Sequence, residues 1–171
     1  DLKNKVEKYF RFSREEIKGI IASILIMAFI ISFKDWGQDN NFSASAGIAN
    51  LLISLIIVAV AILIHISAQK IYALHIGFKA EFKLWWYGLL LGLILVFLSR
   101  GKIWFLAIGG VFIHHLAEHR LGFFRYGTNI QSMGAVALVG PIANILFATF
   151  AKFLQINLHL FSVDNVILNK I

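Results

Sequence analysis

The side chains best suited to chemistry in this sequence are histidines, and they sit in two contrasting settings. His65 follows a run, Ile48 to Ile64, in which Asn50 and Ser54 are the only residues outside the apolar and small types. An imidazole in such a helix is costly to bury unless something bonds it. Gln69 lies four positions on and shares its helix face, with Ser67 and Lys70 close by. The pattern fits a histidine hydrogen-bonded to another helix, or a metal ligand or proton-handling group. The second setting is HHLAEH, residues 114–119, which contains the H-x-x-E-H order of inverted zincins. If residues 112–121 are helical, His115 and His119 share a face and could clamp a metal beside Glu118. His65 could complete that site if the run from Ile103 to Leu116 folds back beside it. Paired membrane histidines can also ligate b-type haem, but no second pair at matching depth is evident. His and Glu at the end of an apolar run more often simply meet the membrane interface, and His75 and His159 carry no assignment.

These residues have to be positioned by apolar helices. Of 171 residues, 59% are apolar and 15% charged, against about 45–50% and about 25% in a soluble domain. So few charges cannot cover a soluble surface, so an integral membrane protein is expected. The absence of cysteine excludes disulfides, thiolate zinc sites and cysteine nucleophiles. The net charge of +7 is spread between apolar runs rather than along one stripe. It therefore reads as a topology signal facing anionic lipid, and nucleic acid is not an expected partner.

Residues 1–16 form a basic segment that ends in a capping box, Ser13 with Glu16. Residues 17–171 form a single transmembrane domain, with apolar segments at about 17–33, 47–74, 87–99, 103–117 and 132–154. Gly77 should stop the second helix. The aromatic and polar alternation of FKAEFKLWW, residues 78–86, suggests a short β-ribbon or an interfacial segment. Gly109-Gly110 interrupts the fourth segment, and Gly140-Pro141 should kink the fifth or start it afresh. Residues 117–131 read as a polar and aromatic loop. Lysines and arginines are dense in the first segment and sparse in the loop after the first helix, which places the N-terminus in the cytosol.

The stretch HISAQKIYALHIGFKAEFKLWWYGLLLGL resembles the helix of the intramembrane site-2 proteases (M50) that begins HExxH and leads into a short sheet, in its archaeal form. Val139-Gly140-Pro141-Ile142-Ala143-Asn144 is similar to the family's later (S/A)GPxxN element, and the two motifs stand in the family's order over roughly residues 60–154. The resemblance implies a site-2-protease-like multi-helix core, zinc chemistry in intact members, and Asn144 near the active site. The motif is degenerate here. In HExxH two histidines four apart hold zinc and the glutamate activates its water. Of those three positions His65 survives, Ile66 replaces the glutamate and Gln69 replaces the second histidine. The family's third ligand, an aspartate in a segment like N-P-x-x-D-G, has no counterpart, because Asp164 lies in Ser-Val-Asp-Asn.

The expected protein is thus an all-α membrane protein with a short β-ribbon, a pseudoprotease with no intact catalytic set. It should bind a transmembrane or extended peptide segment of a partner within the lipid bilayer. No cofactor is expected, and zinc is the ion that His65, His115 and His119 could hold. The competing readings are an active intramembrane metalloprotease with a non-standard zinc site, and a structural or metal- or haem-binding subunit of a membrane complex.

Overall fold

The computed structural model describes residues 2–38, 41–115 and 130–168. A short amphipathic helix α1 (Leu2–Tyr9) precedes α2 (Arg14–Ser32). The start of α2 follows from its capping box. The Ser13 hydroxyl accepts from the Glu16 N–H at 3.1 Å, and the Glu16 carboxylate accepts from the Ser13 N–H at 2.8 Å. A single 3-10 turn (Phe33–Trp36) and a two-residue hairpin, β1 (Gly37–Gln38) with β2 (Asn41–Phe42), reverse the chain. It then enters the long helix α3 (Ala44–His75), which ends at Gly77 with φ +87°, a conformation that favours glycine.

Strand β3 (Phe78–Leu84), helix α4 (Trp86–Leu98), strand β4 (Gly109–His115) and helix α5 (Ile130–Leu168) complete the described chain. Three helical stretches, 14–36, 44–75 and 130–157, are long and apolar enough to cross a membrane. Their outward faces expose large aliphatic side chains, such as Leu52, Ile56 and Ile57 on α3 and Leu138, Ile145 and Leu146 on α5. That surface is suited to lipid and not to water. The molecule is a helical membrane protein with a small two-stranded ribbon, as composition and alternation predicted.

The fourth apolar segment, 103–117, is not a helix where it is described. Residues 103–108 belong to no helix or strand and 109–115 form β4, antiparallel to β3 in a register that pairs Phe82 with Val111 and Leu84 with Gly109. Val111-Phe112-Ile113 is β-branched and aromatic, and β3 supplies the ladder partner that local hydropathy could not reveal. The stretch 103–108 lies on a small-residue face of α4. A Cβ on Gly92 would stand 2.5 Å from the Phe105 carbonyl oxygen, and Gly88 faces the Ala107 carbonyl in the same way. Small residues there allow backbone to approach backbone. Helix α5 continues unbroken through Pro141, so the expected fresh start does not occur.

The core has two parts. Ile20 and Ala28 of α2 pack with Val58, Ile62 and Ile66 of α3 and with Phe82 of β3. Ala73 of α3, Ala80 of β3 and Val136 of α5 form the second, flanked by Val111 and Ile113 of β4.

A candidate site between two membrane helices

Helix α3 presents two faces to its neighbours. Ile62 and Ile66, four residues apart, look toward α2 and the ribbon, and Ile66 is only 1% exposed. His65 and Gln69 look toward α5. The spacing that put His65 and Gln69 on one face is therefore observed, and both meet α5, His65 at Gly140 and Asn144 and Gln69 just ahead of them at Ala137. The imidazole of His65 rests against Gly140, where an added Cβ would lie 2.5 Å from Nε2 and 2.7 Å from both Cδ2 and Cε1. Near-equal distances to three ring atoms place Gly140 over the ring face. Its Nδ1 lies 3.4 Å from Asn144 Nδ2, a long contact. Asn144 Oδ1 is buried without a hydrogen-bond partner among the described residues.

Gln69 has a more definite task. Its Nε2 donates to the Ala137 carbonyl at 3.2 Å, and Gln69 itself is 5% exposed. Ala137 stands four residues before Pro141, whose ring nitrogen carries no hydrogen. The carbonyl that loses its helical donor to proline thus receives one from the neighbouring helix. This explains how α5 runs on through Pro141 in an apolar setting where a bare carbonyl is costly.

Among the described residues these side chains do not form a zinc ligand set: His65 offers one ring nitrogen, Gln69 is turned to a backbone carbonyl, and Ile66 lies inside the α2–α3–ribbon core. Among the described residues no three His, Asp or Glu side chains gather. The helical reading of HHLAEH fails at its start, because residues 112–115 are strand. His114 is exposed on the ribbon, opposite Lys79. His115 pairs through its backbone with Phe78, while Glu118 and His119 lie outside the described residues. On the same outer surface a hydrogen bond from Lys79, at 2.8 Å, holds the Glu81 carboxyl below its usual range, against a smaller opposing effect of burial.

A buried ion pair also escaped the sequence reading. Glu16 and Lys70 are each 4% exposed and 2.8 Å apart. The ammonium also donates to the Arg11 carbonyl at 2.9 Å and sits 4.2 Å from the Phe12 ring centroid. The carboxylate accepts the N–H of Ser13 and, at 2.8 Å, that of Phe82 on β3. Both charges are thereby fully hydrogen-bonded, the condition under which such a pair is tolerated in a low-dielectric interior. The sequence signal was half visible, since the capping box singles out Glu16, but its partner stands 54 residues away.

Fold and surface define an α-helical integral membrane protein with a β-ribbon packed on its first two long helices. Its sequence is similar to that of a protein of Methanocaldococcus jannaschii named "Putative zinc metalloprotease", with 32% identity over 139 residues, 81% of this chain and 61% of that relative. The chain therefore spans about three-fifths of that relative's length. No family model matches the chain, and no solved structure matches it.

Proposed function

We propose that this chain is a pseudoprotease of the site-2 (M50) type, related to intramembrane zinc metalloproteases, in which the former zinc site has become a clasp between α3 and α5. One observation carries the reading. Gln69, at the position of the second zinc histidine, is occupied as donor to the carbonyl that Pro141 leaves without a partner. Ile66, at the position of the glutamate, is core. Similarity to a protein named as a zinc metalloprotease supports the ancestry, and the altered residues support the loss of chemistry. His65, Gly140, Pro141 and Asn144 are kept as packing partners, and no zinc is held there. The dense basic residues of the first segment support a cytosolic N-terminus.

The retained activity is binding of an extended peptide segment of a membrane partner. The backbone N–H groups of residues 104–108 have no hydrogen-bond partner among the described residues, although this stretch runs beside an apolar helix. Backbone in that setting needs a partner, and an added strand provides one. The Phe82 N–H is already taken by Glu16, so within the ribbon the open edge belongs to β4.

The test has two arms. Zinc content is measured by elemental analysis of purified, dialysed protein, and binding is measured by photocrosslinking from position 106 or 111 to membrane peptides. Metal-free protein that crosslinks an extended segment supports the reading. Near-stoichiometric zinc that is lost with His65→Ala would replace it with an active metalloprotease.

A further inference from the structure

We infer that α1 and the start of α2 form a docking surface for anionic lipid headgroups. The inference rests on membrane embedding and is independent of the pseudoprotease reading. Lys3, Lys8, Arg11 and Arg14 are all exposed, and none has a carboxylate partner among the described residues. The acidic residues nearby are largely spent. Glu16 is buried against Lys70, and Glu15 is paired with Lys18 at 3.1 Å, which leaves Glu7 among the described residues. The patch sits where α2 leaves its polar prefix, since the exposed apolar face of α2 begins at Ile17. That position is the headgroup layer.

The patch is also held in place. Helix α1 packs on α3, and Val6 and Tyr9 within it and Phe10 just after it are half-buried. The Lys70 ammonium fixes the Arg11 carbonyl and the Phe12 ring, so the link between α1 and α2 is anchored from below while the Arg11 side chain stays outward. A cationic surface beside a membrane entry point attracts anionic lipid by long-range electrostatics, and the attraction weakens with salt. The opposite end carries Lys34, Arg100 and Lys102, which provides an internal control of similar charge.

The experiment uses the full chain in mild detergent, titrated with mixed micelles of phosphatidylglycerol or of phosphatidylcholine, with retained lipid counted by native mass spectrometry. The expected result is apparent affinity for phosphatidylglycerol at least about tenfold above that for phosphatidylcholine. That preference is lost in K3Q/K8Q/R11Q/R14Q and kept in K34Q/R100Q/K102Q. Inorganic phosphate at millimolar concentration does not compete. Equal retention of the two lipids overturns the inference, as does a preference that survives the fourfold variant, an equal loss in the control variant, or competition by phosphate. If the fourfold variant does not fold, raising salt from 0.05 to 0.5 M on the unmodified chain decides. A preference that persists at high salt overturns the inference, and one that disappears supports it.

Discussion

The side-chain amide of Gln69 stands 3.2 Å from the Ala137 carbonyl, four residues ahead of the proline that deprives that carbonyl of its helical partner. At this position the chain has a hydrogen-bond donor matched to a defect in the opposite helix. Gln69→Leu should lower stability by about 1–3 kcal/mol, the cost of an unsatisfied buried carbonyl. In a Pro141→Ala background the carbonyl regains an intrahelical N–H, and the cost of Gln69→Leu should fall by more than half. Thermal or denaturant unfolding of the four proteins in one detergent measures the cycle. Additive effects would mean that the amide is not serving the proline.

Gly140 is small because His65 lies on it. Gly140→Ala puts a methyl group about 2.5 Å from the imidazole and should cost about 1–3 kcal/mol through overpacking. His65→Ala should relieve most of that cost in the double variant. If Gly140→Ala is neutral by itself, the close contact between α3 and α5 at this point is not rigid.

Rebuilding the motif should fail. In Ile66→Glu with Gln69→His, the new carboxylate enters the cluster of Ile20, Ile62 and Phe82, and the Ala137 carbonyl loses its amide. The expected outcome is destabilised protein without bound zinc, because burying an unpaired carboxyl is costly. Stoichiometric zinc with peptide cleavage in that variant would show the site to be one step from activity.

The Glu16–Lys70 pair should behave asymmetrically under substitution. Removing one partner, as in Lys70→Met, strands a buried carboxylate and should cost about 3–5 kcal/mol, while Glu16→Gln with Lys70→Met together should cost clearly less. Unfolding midpoints of the two single variants and the double variant provide the check. A double variant whose loss equals the sum of the two single losses would mean that the pair carries no coupling.

Hydropathy made the three long helices legible, because each is a continuous apolar run and lipid asks only for length and composition. The capping box at Ser13 and the stop at Gly77 were readable because both are local chemistry. The shared face of His65 and Gln69 followed from helical period. What those residues meet did not, since Ala137 and Asn144 are 68 and 79 positions away. Strand β4 was hidden for a related reason. A short run rich in Val, Phe and Ile reads equally well as helix or strand until a partner strand decides, and that partner lies across α4. The proline motif was visible, yet the idea that a glutamine would mend it required the second helix.

The Glu16 carboxylate reaches Phe82 across 66 positions, and it does so through a backbone N–H and not a side chain. That choice makes the first membrane helix a proofreader of strand alignment. Were β3 to slide by a single residue against α2, alternate pleats would swap faces. The amide would turn away, and the carboxylate would keep Lys70 but lose its grip on the ribbon. A one-residue slip thus leaves the buried carboxylate short of a donor, so it is penalised by a group on another element as well as by the ribbon's own ladder.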